Sequence, residues 1–210
     1  MKIKKRTLKQ IFAEESTLKA TYNTDLIEYL KKYDGNKSYV FGGVVMKDEV
    51  KKMQIKKKMF FIVNYDKSSK GGSHWVACVK NGDILYHFGS YGIPPLREIS
   101  GHFSTSHIHY NDRAVQLNDS AICGHLCLAF IEWMILDNAN KTFYKFMDEC
   151  KKYSNRYKQD ITPTEKSRKD KIPTKHSTPA HSNDTDDTRN ESWQSYYSRT
   201  PINQMSQQYV

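Results

Sequence analysis

The stretch Asn118, Asp119, Ser120, Ala121, Ile122, Cys123, Gly124, His125, Leu126, Cys127, Leu128, Ala129, Phe130, Ile131, Glu132, Trp133, Met134, Ile135, Leu136 joins turn-forming residues to an almost unbroken apolar run. Asn, Asp and Ser satisfy the free N–H groups at a helix start, so the run reads as a helix with Cys123 in its first turn. A helix this apolar on every side belongs in the middle of a domain. In its first turn a cysteine meets the positive end of the helix dipole, which favours a thiolate, and Gly124 leaves the backbone beside it open. The plain alternative is a cysteine that serves as a small apolar core residue.

Upstream of that helix, Met59–Asn64, His74–Lys80 and Ile84–Phe88 are rich in β-branched and aromatic residues, with turn formers at Asp66–Gly72 and Asn81–Asp83 between them. They read as successive antiparallel strands, the last two joined by an Asn81-Gly82 hairpin. Asp25–Tyr33 places Leu26, Ile27 and Leu30 at helical spacing, with Thr24 as a cap. Pro94 and Pro95 start a helix through Leu96 and Ile99, and a strand at Ile108–Val115 leads into the Cys123 helix. The fold class is α+β, helices packed on a small, mostly antiparallel sheet.

Composition changes near Lys151, beyond which Pro163, Pro173, Pro179 and Pro201 fall among Ser, Thr, Asn, Asp and Lys. The expected organisation is one domain over residues 1–150 and a polar tail over 151–210, disordered from about 155 because it has too little apolar surface to offset its ordering entropy. Within the tail, Trp193, Tyr196 and Tyr197 are either a docking motif or scattered aromatics. No internal repeat is visible.

The net charge is +10, from 33 Lys and Arg against 23 Asp and Glu, and the isoelectric point is about 9.3. Such a chain attracts polyanions, so non-specific DNA is an expected partner, through Lys2, Lys4, Lys5, Arg6, Lys9 and Lys56–Lys58. No nucleic-acid recognition signature accompanies these residues. Met1–Phe12 lacks the apolar stretch of a secretion signal, and no apolar run is long enough for a bilayer, so neither secretion nor a membrane is expected. Cys78, Cys123, Cys127 and Cys150 then read as free thiols in reducing surroundings.

Three blocks carry a resemblance to the adenain-like cysteine proteases of viruses and virus-like (Polinton/Maverick) transposons. They are Gly71, Gly72, Ser73, His74, Trp75, Val76, Ala77, then Phe88, Gly89, Ser90, Tyr91, Gly92, then Gln116 to Gly124. The resemblance implies a papain-like fold of the adenain type, with His74 as general base and Cys123 as nucleophile. It also implies that Gln116, seven residues before the cysteine, supplies an oxyanion donor together with the Cys123 backbone N–H. Such donors matter to any acyl transfer, each being worth about 3 to 4 kcal/mol. Trp75 is expected to pack and to screen the imidazole from water. The family's third catalytic residue, an Asp or Glu, is replaced by Gly89. Asp83 or Glu98 could substitute, or a thiolate–imidazolium dyad could work alone; a degenerate homologue that binds peptides without cutting them is the alternative.

The family further implies a polypeptide substrate cut beside small residues, precursor proteins of a virus or mobile element as targets, and a host-nuclear or virion location. It uses DNA and a peptide as activators; no other cofactor is expected, and the chain is read as a monomer. Proteases of ubiquitin-like modifiers share the order His, acid, Gln, Cys and belong to the same superfamily. Cys123, His125 and Cys127 also raise zinc, but Cys78 and Cys150 lack the paired spacing that would complete four ligands, so no metal is expected. Cys127 then reads as core, and His125 as exposed or capping.

Overall fold

A computed structural model of the chain describes residues 4–103, 107–136 and 139–157. Along it run α1 (Leu8–Ala13), α2 (Asn23–Leu30), β1 (Val40–Met46), β2 (Lys58–Asn64), β3 (Trp75–Asn81), β4 (Ile84–Gly89), α3 (Arg97–Phe103), β5 (His107–Tyr110), α4 (Cys123–Leu136) and α5 (Ala139–Tyr153). The architecture is α+β, a five-stranded sheet in the order β1-β2-β3-β4-β5 packed with helices. Its centre, β2-β3-β4, is antiparallel as the sequence implies. The edge strands β1 and β5 each add a parallel pairing.

Side-chain alternation sorts the strands into two apolar layers. On one face Phe60, Ile62, Trp75, Ala77, Val79, Tyr86 and Phe88 meet α4, with α1, α2 and α5 closing the layer. There Phe88 stacks on Phe130 of α4 at 5.2 Å between ring centroids and meets Phe146 of α5 edge-on. On the other face Phe61, Val63, Val76, Cys78 and Leu85 pack beneath Ile99 and Phe103 of α3 and Val50. Coverage on both sides is why β2 and β3 read as nearly continuous apolar runs. Among the described residues no helix is long and apolar enough to cross a membrane.

Several elements depart from the sequence-based expectation. Thr24 is not the cap of α2: the helix starts at Asn23, and the Tyr22 N–H donates to the Asp25 carboxylate. The expected strand at Ile108–Val115 stops at Tyr110, because the following backbone bonds to the turn after β4 instead of to a strand. Beyond the expected boundary at residue 150, α5 runs to Tyr153. Ser154 is buried, with its hydroxyl donating to the Val115 carbonyl at 2.6 Å, and Asn155 donates to the Phe12 carbonyl and to Glu15. Residues 154–157 therefore pack with the domain, held by these hydrogen bonds and by Tyr157, which lies partly buried against the core. The rest of the expected tail, with Trp193, Tyr196 and Tyr197, lies outside the described residues.

Candidate active site

His74 is set by the approach to β3. Asn64, at the end of β2, accepts the N–H of Ser73 at 3.1 Å and that of Asp66 at 2.9 Å. Gly72 lies against that amide with φ +87°, so a side chain there would be strained and crowded. The His74 carbonyl accepts from Tyr65 N–H at 2.9 Å, which fixes its backbone. Its ring faces Tyr65 edge-on at 5.5 Å and Tyr91 at 4.6 Å. It is buried, and neither ring nitrogen has a hydrogen-bond partner among the described residues.

Cys123 opens α4 as the sequence requires. Backbone N–H groups of Trp75, Gly124 and Cys123 itself face its thiol. The nucleophile candidate thus lies against the peptide that follows His74, and the bonding of α4 to β3 repeats one turn on, where the Cys127 thiol donates to the Trp75 carbonyl at 3.3 Å. Gly124 is required by a close approach: a Cβ there would stand 1.9 Å from Thr21 Oγ1. The Thr21 carbonyl in turn accepts from the Trp75 indole N–H at 3.1 Å.

Gly89 stands where the sequence resemblance implies an acid. It pairs with Val76 across β3-β4, and a Cβ built on it would stand 3.9 Å from His74 Nε2, 3.1 Å from Val76 Cγ1 and 3.6 Å from His87 Cε1. Nε2 is therefore the nitrogen turned toward position 89. Asn111 clamps Gly89 from both sides, accepting its N–H at 3.1 Å and donating to its carbonyl at 2.7 Å. The turn beyond is locked as well, since Ser90 O accepts from Val115 and Gln116 N–H and Gly92 (φ +67°) packs directly on the Arg113 backbone.

Gln116 is buried in that turn. Its Oε1 accepts from the Ser90 hydroxyl at 2.6 Å, while its Nε2 donates to the Ser120 carbonyl at 2.6 Å and the Tyr91 hydroxyl at 3.2 Å. Both N–H groups of the amide are thus engaged. Glu15 fixes the same loop by accepting from Leu117 N–H and the Ser120 hydroxyl. The residue that joins all three candidates is Tyr91: its ring lies tilted against His74, its hydroxyl accepts from Gln116, and that hydroxyl is pushed up to about 12 by burial first and by Cys123 second.

Burial sets the protonation of the pair. It pushes the His74 imidazole down to about 3 and the Cys123 thiol up, against the opposing pull of the three N–H groups. Near neutrality thiol and imidazole are both uncharged, so the ion pair expected of a dyad does not form in this closed arrangement. His87, fully buried, is likewise pushed down to about 3, by burial first and His74 second. An imidazole that titrates near 6.5 unfolded and near 3 folded binds fewer protons in the native state. Its stabilising contribution is whole above 6.5 and is lost as pH falls toward 3. The urea midpoint should therefore stay nearly level from pH 7.5 to about pH 6.5 and drop from there to pH 4.5; a flat midpoint across the whole interval would show that these rings are not neutral and buried.

Other expectations are corrected. Trp75 does not screen the imidazole: successive residues point to opposite faces, so its indole packs on the α4 side and Tyr65 and Tyr91 cover the ring. His125 is buried, with Nε2 paired to the Lys19 carbonyl at 3.2 Å, because the segment before α2 folds over the start of α4. Asp83 is exposed at the far end of the β3-β4 hairpin, six residues or about 20 Å from Gly89. Glu98 is exposed on α3. Neither takes the acid's place. The supporting residues Asn64, Asn111, Glu15 and Tyr91 carried no assigned role in the sequence, and no local signal marks them, because the groups they bond belong to other segments.

No family model matches the sequence, and no curated protein matches it. Among solved structures, the SUMO protease Ulp1 with its catalytic cysteine oxidised to a sulfinic acid is similar at 14% identity, covering 66% of this chain and 72% of that chain with a TM-score of 0.33. The same protease with that cysteine oxidised to a sulfonic acid gives the same figures. A likeness of that size says nothing about chemistry.

Proposed function

We propose that the chain is a cysteine peptidase acting through Cys123 and His74. The observation that carries the reading is the meeting of a helix-start thiol, faced by three backbone N–H groups, with the peptide following a buried imidazole whose ring nitrogens have no hydrogen-bond partner among the described residues. Cys123 Sγ adds to the scissile carbonyl while its proton passes to His74 Nδ1. The oxyanion is held by the Cys123 N–H and by Gln116 Nε2 once substrate takes the place of the Tyr91 hydroxyl. His74 then gives the proton to the leaving amine, and water, deprotonated by the same imidazole, releases the acyl group as a carboxylate. Because the resting pair is neutral, proton transfer accompanies attack.

By the sequence resemblance the substrates are polypeptide precursors of a virus or virus-like element, cut beside small residues inside a host cell or virion, with non-specific DNA as an accessory partner. A peptide-binding homologue that does not cut is the second reading, favoured by Gly89 and by the engaged amide of Gln116. Labelling with a peptidyl vinyl sulfone, read by intact mass, tests the site. One adduct on wild type, none on Cys123→Ser and a much slower one on His74→Ala is the expected pattern. Labelling that survives both substitutions removes the site, and a ubiquitin-like modifier vinyl sulfone that outpaces the peptide moves the substrate class to modifier conjugates.

A further inference from the structure

His87 is a buried titratable group that the proposed mechanism leaves unused. It lies on β4 two residues before Gly89, so both project from the same face of the sheet. Across the strands it pairs with Cys78 on β3 and Tyr110 on β5. The side chain is fully buried, yet neither ring nitrogen has a hydrogen-bond partner among the described residues. Native proteins seldom leave buried nitrogens in that state, and His74 shows the same pattern beside it. His87 Cε1 stands 3.6 Å and His74 Nε2 3.9 Å from one point, the place of a Cβ at residue 89. The ionisable group whose charge acts on His87 is His74. Two neutral imidazoles are complementary, each with one N–H and one lone pair. Imidazole χ2 wells are broad, so each ring is free to turn toward the other.

We propose that His87 is the positioning residue for His74, taking up its Nε2–H in the space where position 89 offers no carboxylate, and so keeping Nδ1 as the free base beside Cys123. This rests on the peptidase reading for its catalytic consequence but not for its geometry. When His74 accepts the thiol proton, the Nε2–H bond to His87 becomes charge-assisted, and no further proton moves. A neutral acceptor stabilises imidazolium less than a carboxylate does, so this arrangement makes a slow enzyme.

The test uses full-length protein with ring-15N histidine, in which long-range proton–nitrogen spectra at pH 7.5 read the His74 tautomer without any turnover. Wild type should hold the Nε2–H form, and His87→Leu should release a mixture of tautomers. The same substitution should slow vinyl sulfone addition to Cys123 about tenfold, the lower end of what partners that orient a functional imidazole supply. His87→Gln, which keeps an acceptor, should restore part of it. Adding Gly89→Asp to His87→Leu should restore the rate fully, because a carboxylate then does the orienting. An unchanged His74 tautomer in His87→Leu overturns the proposal. Should that variant fail to fold, His87→Phe carries the same comparison. A tautomer change in a protein that never labels Cys123 would leave His87 in its role and remove the peptidase reading.

Discussion

Gly89→Asp should speed the reaction of Cys123 with a peptide vinyl sulfone about 10- to 100-fold, well short of the roughly 10⁴ that an orienting carboxylate is worth in serine hydrolases. The geometry allows the substitution. Gly89 is not in the left-handed region, and its Cβ would meet only Val76 Cγ1 tightly, at 3.1 Å, which a shift of a few tenths of an ångström relieves. From a Cβ 3.9 Å from His74 Nε2, a carboxylate reaches the ring directly, and the Asn111 clamp holds the backbone while it does so. The charge favours imidazolium and so raises the His74 pKa from about 3. A thiolate beside imidazolium is favoured in turn, which puts the reactive ion pair within reach near neutrality. The opposing cost is desolvation of the carboxylate, offset when it is paired with the imidazolium. Gly89→Asn has nearly the same shape without the charge and should stay within a few-fold of wild type. An Asp variant no faster than the Asn variant would show that the reaction does not pass through His74.

The apolar pattern made the central strands and α4 legible, because a run such as Met59–Val63 buried on both faces leaves little freedom in how it is read. The catalytic candidates were legible only through the spacing of three short blocks. What was hidden is tertiary: β1 shows no alternating pattern because Gly42 and Gly43 interrupt it where the pairing register shifts. The Trp75 expectation failed on a parity that adjacency to His74 obscures, since neighbours on a strand face opposite layers. Asn111, Glu15 and Asn64 act by bonding backbone groups of distant loops, and nothing local distinguishes them from surface residues. The protonation of the pair was missed for a related reason, because sequence shows which groups can ionise and only the fold shows that Tyr65 and Tyr91 keep water from them.

Tyr91 explains how a thiol, an imidazole and an amide can be assembled and still be held at rest, and removing it is the second large effect expected. Tyr91→Ala should accelerate alkylation of Cys123 by iodoacetamide about tenfold or more. Two consequences act in the same direction. Loss of the ring 4.6 Å from His74 admits water, which lets the imidazole charge. Hydration also lowers the thiol pKa, and each unit multiplies the thiolate fraction about tenfold while pH lies below the pKa. Gln116 Nε2 also loses its bond to the hydroxyl, which frees an oxyanion donor but does not bear on alkylation, in which no oxyanion forms. Tyr91→Phe separates the contributions: it frees the amide but keeps the ring over the imidazole, so its alkylation by this small reagent should match wild type. Cys78, Cys127 and Cys150 are buried free thiols, and they report unfolding. Fast labelling confined to Cys123 would mean local opening, whereas labelling of all four would mean a destabilised fold. If Tyr91→Phe labels as fast as Tyr91→Ala, the hydroxyl and not the ring restrains the site, and substrate must act by displacing one hydrogen bond instead of by lifting an aromatic cover.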